Sequence, residues 1–299
     1  MLAFEESGTV SPSDLSGETV VLTGGTSGIG RAAATELAAR GATVAIVGRD
    51  RSRGEATAAE ADALDGDVRF HRADLATRAA VRDLAADLRG SYDRIDVLAH
   101  NAGLSAGSRT ETADGIELTL AVNHLAPYLL TRELFDRLAA SAPARVVVTA
   151  SDLHRRATLD FGDLQFADEY DPLDAYARSK LANVAFILEL ADRLPDDAGI
   201  TANCLHPGFV PSTNLFRDAA LRTRLAVRVA GLVPGVGTTR RAAADRLLRL
   251  IAAPGYADRT GRYVGEEELT PADAATNPET RERLWTVSAD LVGVDPDWP

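Results

Sequence analysis

Seven short runs rich in β-branched residues alternate along this chain with segments of helical period. That alternation restricts the fold more than any other feature. The strand segments are Thr19–Leu22, Thr43–Val47, Val68–Arg72, Ile95–Ala99, Arg145–Thr149, Thr201–Leu205 and Arg262–Val264. The helical segments lie at 29–40, 51–64, 77–89, 112–139, 175–194, 238–252 and 279–291. Repeated strand–helix–strand order implies parallel pairing through right-handed crossovers. The strand segments are apolar nearly throughout, as expected of strands covered on both faces. The reading is an α/β fold, a doubly wound sheet of about seven parallel strands with helices on both faces.

No linker rich in Pro, Gly or Ser divides the chain, and there is no internal repeat. Residues 1–16 read as an N-terminal arm and 17–299 as a single domain. Two long connections, 152–174 and 207–237, are where function is expected to sit. No run approaches the roughly 18 apolar residues of a membrane span. The acidic N-terminus does not resemble a secretory signal, so a cytoplasmic location is expected. Cys204 stands alone, and the five histidines His71, His100, His124, His154 and His206 show no paired spacing, so no metal site is expected.

Charge excludes another class of partner. The formal net charge is −12, which repels nucleic acid and anionic lipid. The 44 acids are 28 Asp and 16 Glu, while the 32 bases are 31 Arg and one Lys, Lys180. An Asp-rich surface almost free of Lys points to a halophilic protein; a GC-rich genome produces the same bias.

Val20-Val21-Leu22 runs into Thr23-Gly24-Gly25-Thr26-Ser27-Gly28-Ile29-Gly30 and then an Ala-rich helical segment. Strand, glycine turn and helix make a phosphate cradle, because glycine lets backbone approach a pyrophosphate and the helix N-terminus favours its charge. No Gly-Lys-Ser/Thr follows, so the turn is not a P-loop. A Rossmann-like dinucleotide site is the expectation. The second strand ends in Gly48-Arg49-Asp50. Glycine replaces the carboxylate that would bind the ribose hydroxyls of NAD, and Arg49 beside it suits a 2′-phosphate. NADP(H) is therefore favoured over NAD(H), with Asp50 as an opposing charge if it turns inward.

Tyr176 and Lys180 lie four apart in a helical segment and share one face. A phenol with a pKa near 10 exchanges protons poorly at neutral pH, and a neighbouring ammonium lowers it. Of the six tyrosines, only Tyr128 and Tyr176 have a base four residues on, and the sole lysine follows Tyr176. Tyr176 is the expected general acid/base.

Together these motifs resemble the short-chain dehydrogenase/reductase family over roughly residues 16–293. The resemblance rests on Thr23-Gly24-x-x-x-Gly28-Ile29-Gly30, Asp74-Leu75, Asn101-Ala102-Gly103, Asn123, Ser151, Tyr176-x-x-x-Lys180 and Pro207-Gly208. It implies a catalytic set of Asn123, Ser151, Tyr176 and Lys180. Asn123 would hold a water linking Lys180 to solvent, and Ser151 would bond the substrate oxygen. Lys180 would bind the nicotinamide ribose and acidify Tyr176. It further implies a cofactor site of Gly24, Thr26, Ser27, Gly28, Ile29, Gly30, Arg49, Asp74, Leu75, Asn101, Ala102 and Gly103 with Tyr176 and Lys180. Pro207, Gly208, Val210, Ser212 and Thr213 would wrap the nicotinamide end.

Ser151-Asp152-Leu153-His154, Ser179-Lys180-Leu181-Ala182-Asn183, His206-Pro207-Gly208 and Leu284-Trp285-Thr286-Val287-Ser288 resemble the retinol dehydrogenase-like branch. That branch implies an oxidoreductase moving hydride between NADP(H) and an apolar alcohol or carbonyl, retinoid-, steroid- or lipid-like. Apolar residues between Leu215 and Val233 suit such a substrate, and the partly amphipathic stretch 220–233 reads as a lid over an apolar pocket or as an oligomer contact. The alternative is a non-catalytic NADP-binding regulatory protein on the same fold. In many relatives helices matching 112–139 and 175–194 form dimer and tetramer faces, which leaves a homodimer or homotetramer open.

Overall fold

The computed structural model describes residues 14–61, 63–211 and 237–299. The strands are β1 Thr19–Thr23, β2 Thr43–Gly48, β3 Asp67–Arg72, β4 Val97–His100, β5 Ala144–Thr149, β6 Ile200–Leu205, β7 Arg262–Val264 and β8 Glu268–Leu269. They form one sheet in the order β3-β2-β1-β4-β5-β6-β7-β8. The expected parallel sheet is present, with one correction. The sheet has eight strands, and β8 runs antiparallel to β7. A two-residue strand carries no periodicity that a sequence could display. The order reverses between β1 and β4, the switch point at which such sheets open a crevice for ligands.

The strands read as uniformly apolar because alternate residues feed two cores. Val21, Ala45, Val47, Leu98, Val146 and Val148 face one core. Val20, Leu22, Val44, Ile46, Val97 and Val147 face the other. The first core is closed by α3 Arg78–Ser91, α5 Ala126–Ala140 and α6 Pro172–Arg193. The second is closed by α1 Gly28–Ala39 and α7 Arg240–Ala252, with α2 Arg51–Ala61 at its margin. Two short elements complete the middle and end of the chain, α4 Leu118–Leu120 and α8 Asp273–Thr276, before the last helix, α9 Pro278–Val292. Among the described residues no helix is long and apolar enough to cross a membrane.

Helix boundaries follow capping chemistry. Asp171 accepts from the amides of Leu173 and Asp174, and Pro172 occupies the first turn of α6, three residues before the expected start. Asn277 and Pro278 start α9 in the same way, and Gly293 ends it with φ 69°. The expected helix 112–139 is corrected. Residues 111–117 fold back on themselves through a bridge between Glu111 and Glu117, with Gly115 at φ 73°. Glu117 then caps α4 through the amides of Thr119 and Leu120. A π turn, Ala121–Leu125, separates α4 from α5.

Helix α9 and the residues after it lie over α6. Trp285 and Trp298 are buried, with ring centroids 4.5 Å apart, against Tyr128 of α5 and Phe186 of α6. Trp298 Nε1 donates to Tyr128 Oη at 3.0 Å, and Trp285 Nε1 donates to the Pro296 carbonyl at 2.8 Å. Helix α6 is consequently buried on nearly all sides from Ala175 to Leu190.

Candidate active site

The C-terminal ends of β1, β4, β5 and β6 open onto one crevice. After β1 the chain turns through Gly24 at φ 70° and Gly28 at φ 57°. A Cβ on Gly24 would stand 2.8 Å from Ala102 Cα, and one on Gly30 would stand 2.3 Å from the Gly24 carbonyl oxygen. Glycine is needed here because backbone packs on backbone. Thr23 Oγ1 accepts from the amides of Asn101 and Ala102, both at 3.1 Å, which fixes the Asn101-Ala102-Gly103 turn after β4. Asn101 Nδ2 donates to the carbonyls of Thr23 and Gly24. Ser27 precedes α1 without a side-chain capping bond, and Ile29 packs at the margin of the second core.

The end of β2 shows why glycine stands at 48. A Cβ there would lie 2.7 Å from Thr26 Cγ2, so a carboxylate at this position would displace Thr26. Asp50 is turned to α2, accepting from Arg53 N at 3.1 Å and pairing with Arg53 Nε at 3.3 Å. Arg51 pairs with Glu55. Arg49 is exposed, and among the described residues its guanidinium has no partner. Asp74 is exposed and accepts from Ala76 N, while Leu75 is buried in the first core. These residues fit a dinucleotide: a glycine cradle that a Cβ would fill, an open helix N-terminus and an uncommitted guanidinium.

The other end of the crevice carries the hydroxyls. Ser151 follows β5 with extended backbone and starts a 3-10 turn, Asp152–Arg156, accepting from Leu153 N at 3.3 Å. Its hydroxyl stands close enough to Tyr176 to favour the phenolate. Lys180 lies one turn further along α6, 5.5 Å from the Tyr176 ring centroid, and donates from Nζ to the Thr149 carbonyl at 2.8 Å. Asn123, in the π turn, has no exposed surface. Its Oδ1 accepts from Leu104 N, and its Nδ2 donates to Leu104 O and Ser179 Oγ. Ser179 Oγ donates to Tyr176 O at 2.7 Å. A Cβ on Gly103 would lie 3.4 Å from Asn123 Oδ1 and 3.5 Å from Lys180 Nζ, so the three residues converge.

Burial dominates the electrostatics of both groups, Tyr176 and Lys180. Burial raises the Tyr176 pKa above that of a free phenol, and the hydrogen bond from Ser151 opposes the rise. Burial also lowers Lys180 to about 8. Lys180 directs its ammonium to the Thr149 carbonyl, and burial sets the direction of the Tyr176 shift. The water expected on Asn123 meets a side chain whose two N–H groups are both spent on protein. Pro207 and Gly208 follow β6; Gly208 has φ 87°, and Arg246 of α7 holds the Pro207 carbonyl at 3.1 Å. Val210 is buried. Ser212, Thr213, the 220–233 stretch and residues 1–13 of the arm lie outside the described residues.

The sequence reading passed over the Thr149 carbonyl and the histidines His154 and His206, which lie beside Ser151. Their signal was position alone, three residues after Ser151 and directly before Pro207.

A doubly wound sheet with a glycine cradle at its switch point and a Ser–Tyr–Lys group beside it defines a Rossmann-type protein. A family model described as "short chain dehydrogenase" matches residues 18–222. The chain belongs to the short-chain dehydrogenase/reductase family, in its retinol dehydrogenase-like branch. It is 39% identical to human retinol dehydrogenase 12 over 283 residues, 94% of this chain and 88% of that protein. Among solved structures, an uncharacterised protein from Mycobacterium paratuberculosis superposes with a TM-score of 0.77 at 29% identity, covering 96% of this chain and 97% of that one. A short chain dehydrogenase from Burkholderia cenocepacia in complex with NADP superposes with a TM-score of 0.68 at 27% identity, covering 89% and 100%. The chain is thus related to oxidoreductases of this family throughout its length.

Proposed function

We propose that the protein is an NADP(H)-dependent oxidoreductase that interconverts an apolar alcohol and its carbonyl compound, with Tyr176 as the proton donor and acceptor. The observation that carries this reading is the convergence of Ser151, Tyr176 and Lys180, with the Lys180 ammonium 5.5 Å from the Tyr176 ring and Asn123 behind it. NADPH, when bound, supplies the hydride that no protein side chain can. In reduction, the Tyr176 hydroxyl gives its proton to the carbonyl oxygen. It is fully protonated at neutral pH, because burial raises its pKa. Ser151 Oγ donates to the same oxygen and stabilises the charge that develops there. Lys180, with its pKa near 8, keeps most of its charge at pH 7 and stabilises the phenolate left behind. In oxidation the phenolate takes the proton back from the alcohol.

The unpaired Arg49 and the Thr26 side chain filling the space at Gly48 support NADP(H) over NAD(H). Arg49→Ala is expected to weaken NADPH binding about tenfold, the loss of one exposed charge-assisted contact. NADH binding should stay within about twofold, since no contact to a 2′-phosphate is lost. Fluorescence titration of both nucleotides checks this; equal weakening of the two would remove Arg49 from the phosphate. Similarity to retinol dehydrogenases supports a retinoid-like substrate. Loss of NADPH absorbance with retinal and with small charged carbonyls tests that part, and turnover confined to the charged set would overturn it.

The acidic, lysine-poor composition supports a salt-adapted protein. The urea midpoint is expected to rise between about 0.1 M and 2 M KCl as salt screens mutual repulsion. A midpoint that falls or stays constant would contradict this.

A further inference from the structure

The peptide group joining Ser151 to Asp152 is held at both ends by imidazoles. His154 has no exposed surface, and its Nδ1 lies 2.8 Å from the Ser151 carbonyl oxygen, which also accepts from His154 N at 3.1 Å. A carbonyl only accepts, so this Nδ1 carries the proton. His154 Nε2 accepts from Ala272 N at 3.0 Å, which fixes the same neutral tautomer independently. At the other end of the peptide, Asp152 N donates to His206 Nδ1 at 3.2 Å. An amide only donates, so His206 Nδ1 is bare and its proton sits on Nε2. Tyr263 of β7 packs against both rings, with centroids 4.9 Å from His154 and 6.4 Å from His206, and its buried hydroxyl has no partner among the described residues.

His206 is also the residue before Pro207-Gly208, whose Pro207 carbonyl is fixed by Arg246. One imidazole therefore ties the backbone under Ser151 to the segment expected to wrap the nicotinamide end, and the other ties it to the chain entering α8 at Ala272. Neither histidine touches the Ser151 hydroxyl. Both restrain the peptide that sets its direction.

We infer that His206 and His154 are positioning residues, a pair of neutral imidazoles of opposite tautomer that holds Ser151 at the angle from which it meets the substrate oxygen and links that angle to the Pro207-Gly208 segment. This rests on the reading of Ser151 and Tyr176 given under Proposed function. The arrangement also makes activity sensitive to acid. A proton added at His206 Nδ1 would face the Asp152 amide donor to donor, and a proton added at His154 Nε2 would face the Ala272 amide likewise. The charged and titratable groups around the pair are Asp152 and Arg155 on the 3-10 turn, Arg246 on α7 and Tyr263 on β7, together with each histidine for the other. Burial dominates at both rings and lowers both from the ordinary imidazole value of 6.5. The sign follows: the clamp is intact above that value and opens as pH falls through the lowered pKa values.

The test has two arms. Long-range proton–nitrogen NMR of the wild-type protein, assigned with His206→Leu, reads the tautomers without any turnover. His206 protonated on Nε2 and His154 on Nδ1 are expected; the reverse at either ring overturns the inference. In the second arm, kcat and NADPH Kd are measured against pH for wild type, His206→Leu and His206→Asn. Asn places an acceptor where Nδ1 was and cannot take a proton. His206→Leu is expected to lower kcat about tenfold or more, with NADPH Kd within about twofold. His206→Asn should recover to within about threefold of wild type and narrow the acid limb of the profile to the part that His154 contributes. Unchanged kcat in His206→Leu, equal losses in both variants, or Kd weakening in step with kcat would each overturn it. A wild-type protein with no carbonyl turnover would defeat the proposed function, while the tautomers would still decide the clamp.

Discussion

Tyr176→Phe is expected to lower the rate of carbonyl reduction by about 10³-fold while NADPH binds within about threefold of wild type, because general acid catalysis supplies about 10²–10⁴-fold and the ring itself is kept. The substitution deletes one oxygen. It leaves the ring 5.5 Å from Lys180 Nζ and leaves Lys180 on the Thr149 carbonyl. Ser151 loses its partner but remains bonded to Leu153 N. Stopped-flow absorbance of NADPH against fluorescence binding separates the two effects. A fall in rate matched by a fall in binding would mean that the phenol organises the crevice instead of moving a proton. An unchanged rate would remove Tyr176 from the chemistry altogether.

Trp285→Ala is expected to cost roughly 3–5 kcal/mol of stability, the range for truncating a large buried aromatic. Trp285 is 1% exposed. It packs edge-on to Tyr128 at 5.0 Å and stacks on Phe186 at 5.9 Å, with the Arg193 guanidinium 4.5 Å above its ring. Its loss opens the space between α9 and α6, the helix that carries Tyr176 and Lys180. Urea unfolding at fixed salt measures the change. A cost below about 1 kcal/mol would mean that α9 is loosely held and that α6 is secured by the sheet alone.

The sheet and the glycine cradle were legible because their signals are local. Alternate strand residues all had to be apolar, and a turn with backbone against backbone had to be glycine, as at Gly24 and Gly30. Arg49 was legible as a residue type, but the lack of a partner for its guanidinium was not. The start of the helix near 112 was misplaced because an apolar period outweighed the Asp114-Gly115 turn signal, which the Glu111–Glu117 bridge obeys. The π turn at Asn123 leaves no mark in residue spacing. The burial of Tyr176 was not legible, because spacing along a helix shows which side chains share a face but not how deeply they are buried. Burial decides the direction of the shift here, and it is a tertiary property that no spacing displays. The histidine clamp on Ser151 depends on β6 ending beside the 3-10 turn, a tertiary meeting that no local pattern encodes.

Lys180 is the only lysine in the chain, and it is 3% exposed in the floor of the crevice. The outer surface therefore offers no ε-amino group at all. Aldehydes attack amines to form imines, and a guanidinium, protonated at every physiological pH, does not react in that way. Here the side-chain amine chemistry is confined to one ammonium, walled in by Tyr176 and Gly103 and bonded to Thr149. If the substrate is the carbonyl compound proposed above, a surface without ε-amino groups has none to lose to imine formation.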